Sequence, residues 1–267
     1  MRRDPVVLFD DGTHQCLMFD DLVTGDGVQS NQFLITNSGQ SILLDPGGDL
    51  TFTPLNIEIS RYISSRSLTY IFASHQDPDI IAALDKWLLH TPAKVITSKL
   101  WARFLPHLSA AFLTQNHGIK TSERVISVPD SGAQFNFGNT TLSALPAHFL
   151  HSVGNLQLFD PTSKILFSGD MGASLLDDGS AVESFAEHIP SMLGFHQRYM
   201  VSKQVTRLWA NMVRQLDVEM IVPQHGRFFK GKIIIEQFLN WIENLNCGID
   251  LVNQHNYQPP QQLLNLV

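Results

Sequence analysis

The sequence predicts an α/β fold in four layers, two β-sheets packed face to face with helices on their outer sides (αββα). Two observations carry that expectation. The chain divides into two β-then-α halves of comparable size, and within each half short apolar strand patterns give way to helical periodicity across polar loops. Its 267 residues, 43% of them hydrophobic, are enough for one substantial core.

The first fifty residues read as β structure. Val6–Phe9, Gln15–Phe19, Gln32–Thr36 and Ser41–Leu44 are apolar or alternating runs, the last two flanking an Asn37-Ser38-Gly39 turn, and they end at 45-DPGGD-49. Helical spacing follows over Leu55–Ile63, then a strand at Tyr70–Ala73. Pro78 occupies the first turn of the next helix, where its missing N–H costs nothing, and the spacing of Ile80, Ile81, Leu84 and Leu88 continues it over Asp79–Leu89. Lys94–Thr97 is a strand and Lys99–Phe104 a helix. Strands return at Arg124–Val128, Ala133–Phe137, Thr140–Ala144, Gly154–Phe159 and Lys164–Ser168, punctuated by Gly138-Asn139 and Asp160-Pro161. One long helix is expected over His196–Leu216, a strand over Met220–Val222 and a last helix over Ile233–Asn246. Residues 1–252 form one domain in this reading. The Gln/Asn-rich 253-NQHNYQPPQQLLNLV-267 is a loosely held tail.

Composition excludes several classes of function. A formal net charge of −7 argues against a nucleic-acid partner, whose phosphates require a basic face. No apolar run approaches the roughly 18–20 residues that span a bilayer, and MRRDPVVLF lacks the apolar core of a signal peptide, so no membrane association is expected and the address is cytoplasmic. Cys16 and Cys247 lie near opposite ends of the chain without CxxC spacing, which rules out a disulfide framework; Cys247 reads as a small buried hydrophobe.

The candidate site appears where apolar strands end. His75, Asp77 and Asp79 occupy the loop after Tyr70–Ala73, Ser168-Gly169-Asp170 closes Lys164–Ser168, 223-PQHG-226 follows Met220–Val222, and 148-HFLH-151 lies between two strands. Strand C-terminal ends are where α/β sheets place their chemistry. Imidazoles and carboxylates that converge without Lys or Arg nearby repel or desolvate one another, and a divalent cation is the usual remedy. Asp170, on a glycine turn, has two oxygens with which to bridge two metals. An oxygen-rich donor set without thiolate favours iron or manganese, with zinc as an alternative.

This pattern of HxDxD after a strand, a later His, SGD and a final HG resembles the metallo-β-lactamase fold, whose hydrolases carry HxHxDH in the first motif. Here Asp77 replaces the middle His and Ile80 the last. An acidic middle residue is the mark of the flavodiiron proteins, and the sequence is most similar to their short relatives, the oxygen-binding diiron proteins. The resemblance runs from Asn31 to Leu251 and includes 195-FHQRYMVSKQVTRLWANMVRQLDVEMIVPQHGRFFKGK-232.

The resemblance implies a diiron centre in which His75, Asp77 and His151 bind one iron, Asp79 and His225 the other, and Asp170 bridges them. His151 is preferred to His148 because its spacing to Asp170 matches the family, which leaves His148 to support the ligands from behind. Tyr199 is the candidate to hydrogen-bond a bound ligand, and Asp45 matches an aspartate that structures the turn below the metals. His196 is expected to cap or pack, and His117 to lie at the surface. The implied function is that of a non-heme protein that binds O₂ as a peroxide adduct and senses oxygen in bacterial signalling, with a chemotaxis receptor as partner, a homodimer as assembly and no FMN in this chain. Two alternatives stay open: an O₂, NO or peroxide reductase fed by an external electron donor, and a metal-dependent hydrolase. If the protein is an enzyme, a diiron oxidoreductase is favoured over the hydrolase, which Asp77 and Ile80 oppose.

Overall fold

A computed structural model describes residues 4–108, 118, 120–176 and 178–261. His117 and the last six residues of the expected tail lie outside that set. One sheet has seven strands in sequential order: β1 (Val6–Asp10), β2 (His14–Phe19), β3 (Gln32–Asn37), β4 (Gln40–Leu44), β5 (Tyr70–Phe72), β6 (Lys94–Ser98) and β7 (Val125–Val128). β1 to β4 pair antiparallel and β4 to β7 parallel. The other sheet contains β8 (Ala133–Phe137), β9 (Thr140–Pro146), β10 (Leu156–Asp160), β11 (Ile165–Phe167), β12 (Met220–Val222) and β13 (Phe229–Lys230), in the order β13-β12-β11-β10-β9-β8. Its one parallel pair is β11 with β12.

Strand alternation builds the layers. In β3, Phe33 and Ile35 point between the sheets, where they join Phe72, Ile96, Phe137, Leu158 and Val222, while Leu34 points outward. The outer face of the first sheet packs α1 (Asp49–Ile59), α2 (Pro78–Ile81) and α3 (Leu84–His90) through Leu55, Leu84 and Trp87. α4 (Lys99–Ala102) follows β6. The second sheet is covered by α5 (Phe185–Tyr199), α6 (Lys203–Val213) and α7 (Lys232–Asn244), with Trp209 and Phe238 packed on Leu166 and Ile221. The four-layer αββα expectation therefore holds. No described helix is long and apolar enough to cross a membrane.

Three helices depart most from their expected spans, two where tertiary contacts override periodicity and one where a local cap interrupts it. α1 starts at Asp49 and carries Pro54 inside it, buried beside Leu55, since packing on the sheet holds a helix that proline would end on propensity alone. The helix expected over Asp79–Leu89 is broken at Ala82-Ala83, where the Ala83 amide donates to the Gly47 carbonyl at 3.0 Å as well as heading α3. The helix expected over His196–Leu216 is two: α5 begins eleven residues earlier, at Phe185, and Ser202 caps α6 by accepting from the Val205 amide at 3.4 Å. The described part of the tail is exposed throughout, with one short turn at Gln254–Asn256.

Candidate metal centre

The parallel strands of both sheets, β4 with β5 and β11 with β12, end at the same edge of the sandwich, and the connections leaving them deliver the site. Beyond β5 the chain passes Ala73 and Ser74 to His75. Asp77 is the N-cap residue of α2 and Asp79 lies in its first turn. Gly169, at φ +56, turns the chain from β11 so that Asp170 points back over the edge. Pro223 and Gln224 lead from β12 to His225, and Gly226 then passes so close to Ser174 that a β-carbon would overlap its hydroxyl. His151 comes from the loop between β9 and β10.

These six side chains converge. One donor atom from each of His75, Asp77, His151 and Asp170 lies within 4.8 Å of the others. His151 Nε2 is 3.2 Å from Asp77 Oδ2 and 2.7 Å from Asp170 Oδ2, and His75 Nε2 is 3.5 Å from that same Asp170 oxygen. The other oxygen of Asp170, Oδ1, stands 3.5 Å from His225 Nε2, which is also 3.5 Å from Asp79 Oδ2. Asp170 thus divides its two oxygens between two groups of side chains.

Proximity here is not hydrogen bonding. His75 Nε2, His151 Nε2 and Asp170 Oδ1 are buried atoms without an aligned hydrogen-bond partner, even where an oppositely charged atom is as near as 2.7 Å. Such orphans are costly unless something lies between them, and donor atoms aimed at common points instead of at each other fit metal ions. No Lys or Arg is among the described residues that line the adjoining cavity, so the protein supplies no fixed cation.

The electrostatics follow. Burial opposes ionisation of Asp170, but the charge of His75 and the close imidazoles of His151 and His225 hold its carboxyl well below the ordinary range. Burial likewise pushes the His151 imidazolium down, yet Asp170 and Asp77 outweigh it and raise the pKa to about 10. The same balance raises His75 and lowers Asp77, whereas burial dominates at Asp79 and raises it.

The far nitrogens are anchored from outside. His225 Nδ1–H donates to the Gln29 carbonyl at 2.6 Å, which leaves Nε2 free to ligate, and His75 Nδ1 pairs with Ser74 Oγ at 2.9 Å. Beneath His75, Gln224 Nε2 donates to Ser74 Oγ at 3.0 Å and to the Asp45 carboxylate, which also accepts from the Ser74 amide. Burial lifts Asp45 to a pKa of about 6. Sequence reasoning singled out Asp45 but missed Gln29, Ser74 and Gln224, which have no motif of their own; Ser74 and Gln224, each beside a candidate ligand, offered a cue, and Gln29 offered none.

The remaining expectations divide. His148 Nε2 lies 2.7 Å from the Asp130 carbonyl oxygen, and so its bond goes to a turn, not to a ligand. Tyr199 does border the site: its ring lies edge-on to His151 at 5.3 Å, is stacked on Phe195 at 4.7 Å, and lines a cavity of about 520 Å³ that opens over Asp77, Asp79, Asp170 and His225. His196 packs: its Nε2 accepts from the Gly172 amide at 3.0 Å and its Nδ1–H donates to the Met192 carbonyl. Ile80 is fully buried among the core side chains and does not line the cavity.

Two facing sheets with a His/Asp cluster at the shared edge of their parallel strands define a metallo-β-lactamase-like protein with a candidate metal centre. The family described as ODP family beta lactamase matches residues 28–226, and the chain belongs to that family. It is similar to a solved structure of the peroxy diiron species of chemotaxis sensor ODP, at 38% identity over 96% of this chain and 100% of that one, with a TM-score of 0.83. It is also similar to the apo state of chemotaxis sensor ODP from T. denticola, at 37% identity over 95% of this chain and 99% of that one, with a TM-score of 0.82. A flavo di-iron protein variant from Thermotoga maritima shares the fold at 21% identity over 90% of this chain and 60% of its own, with a TM-score of 0.71. An uncharacterized protein of Methanocaldococcus jannaschii is 28% identical over 82% of this chain and 54% of its own length. The chain spans about half the length of the curated relatives it matches.

Proposed function

We propose that this protein is a non-heme diiron oxygen sensor. The observation that carries the reading is Asp170, whose two oxygens face separate ligand groups, His75 and His151 on one side and His225 on the other. In this reading His75, Asp77 and His151 would hold one iron and Asp79 and His225 the second, with Asp170 shared between them. When bound there, a ferrous pair would supply the electrons for O₂ binding. The chain's own residues do the rest. Gln29 and Ser74 orient the imidazoles, and Phe195 and Tyr199 border the cavity with a largely apolar wall whose phenol can donate to a small bound ligand. His148, bonded to Asp130, takes no part.

The similarity to a chemotaxis sensor over nearly all of both chains supports a signalling output through a protein partner, a chemotaxis receptor being the expected class. A cytoplasmic homodimer working without a flavin of its own completes the proposal. Anaerobic reconstitution with ferrous iron, followed by admission of O₂, is expected to give about two irons per chain and a visible absorption that persists long after mixing. Rapid colourless oxidation, or sustained O₂ consumption once an electron donor is added, would instead identify a reductase.

A further inference from the structure

A second group of ligating side chains lies at the opposite end of the sandwich. Strand register pairs His14 with Asn37 and Asn37 with Gln40, at the far end of β4 from Asp45, so the length of that strand, roughly 13 Å, separates this end from the metal cluster. His14 and Cys16, two residues apart in β2, point to the same face and meet Asp160 at the end of β10 in the other sheet. All three are almost wholly buried. His14 Nε2 is 2.7 Å from Asp160 Oδ2, and Cys16 Sγ is 3.5 Å from His14 Nε2 and 3.6 Å from Asp160 Oδ2. The Ser163 hydroxyl donates to the same carboxylate oxygen. Imidazole, thiol and hydroxyl therefore converge on one atom, and the diiron reading uses none of them.

We infer that His14, Cys16 and Asp160 form a second metal site, built for zinc or another borderline divalent cation, with Ser163 as its fourth donor. Zinc bond lengths and tetrahedral angles place sulfur roughly 3.5 Å from nitrogen or oxygen ligands, which the two Sγ distances already match, and nitrogen or oxygen about 3.3 Å from oxygen, so the His14–Asp160 separation must open by about 0.6 Å and the shorter Ser163–Asp160 contact must open with it. As the metal–sulfur bond forms, the Cys16 proton leaves to solvent and no electron changes hands. With Nε2 bound to the metal the ring proton sits on Nδ1, and the Asn37 amide, 2.8 Å away, turns its oxygen to accept it. Thiolate and carboxylate together balance the cation, leaving the buried site neutral. Entry is available from the Ser163 side, where a surface cavity of about 430 Å³ is lined by Ser163 and by Phe9, whose ring lies edge-on to His14 at 5.7 Å.

Cobalt(II) titration of the metal-free full-length protein tests this site independently of the diiron reading, because the edge cluster contains no sulfur. The expected result is a near-ultraviolet thiolate-to-cobalt charge-transfer band that saturates at one equivalent, is displaced by zinc, is lost in Cys16→Ser and is unchanged in Cys247→Ser. Failure of the wild-type protein to develop the band at cobalt saturation, or its loss in Cys247→Ser instead, overturns the proposal. The wild-type arm decides the matter even if Cys16→Ser does not fold.

Discussion

His151 lies between two carboxylates, and its proton is the group an incoming metal must displace. Burial favours the neutral imidazole, but Asp170 and Asp77 hold the pKa at about 10 in the metal-free protein. Because the folded value lies above the ordinary 6.5, this pairing stabilises the metal-free fold fully below about pH 6.5 and is lost as the pH rises through about 10. Metal uptake has the opposite dependence. Ferrous affinity should increase with pH across the neutral range, by up to roughly tenfold per unit for the one proton released, as measured by chelator competition. A pH-independent affinity would contradict the assignment of His151 as a ligand. At Asp170, replacement by Asn keeps the shape but removes the charge shared between the two groups, so iron content should fall from about two per chain to below one by metal analysis, with far-ultraviolet dichroism unchanged. Sequence legibility was greatest at this scale. HxDxD, SGD and HG mark strand ends by themselves, whereas Gln29 acts through its main-chain carbonyl, which no side-chain pattern can report.

Among the elements, the helices on the second sheet pack around an aromatic cluster centred on Phe238. Phe238 of α7 is fully buried, stacked on Phe229 at 4.4 Å with an interplanar angle of 6°, and packed against Trp209 of α6 at 6.0 Å. Phe238→Ala leaves a cavity beneath both helices and should cost about 3–5 kcal/mol in urea unfolding. From the same layer, Trp209 Nε1 donates to Gln157 Oε1 at 2.7 Å, and Gln157 Nε2 donates to the carbonyl of Ser168, which precedes Gly169 and Asp170, at 2.7 Å. Helix existence was legible from periodicity, but helix ends were not. The two unforeseen breaks lie where a competing contact, Gly47 with Ala83 or Ser202 with Val205, interrupts the helix.

Across the molecule, the site exists only because two sheets are held together at one edge. Asn31, entering β3 in the first sheet, reaches the loop after β12 in the second: its Nδ2 donates to the Pro223 and Gly226 carbonyls, each at 3.0 Å, either side of His225. Gln29 holds the His225 ring from the same connection. Asn31→Ala leaves both buried carbonyls without that donor and should cost about 1–3 kcal/mol of stability. It should also weaken the iron bound at Asp79 and His225 more than the iron bound at His75 and His151, measurable as a lower affinity for the second equivalent in a stepwise ferrous titration. Retention of two equally tight equivalents would show that the clasp is not what positions His225.

By itself the sequence determined the strands along the chain up to β12, the four-layer architecture and the residue types at each strand end, because these follow from local periodicity and turn chemistry, whereas the two-residue β13 is too short to show a period. Only the tertiary structure decided which donor faces which. Asp170 and His225 are far from His75 in sequence, and parallel pairing within each sheet and packing between them bring the three to one edge. The pairing of His14 and Cys16 with Asp160 was invisible for the same reason: 144 residues separate Cys16 from Asp160, and no local rule links strands that meet across a core.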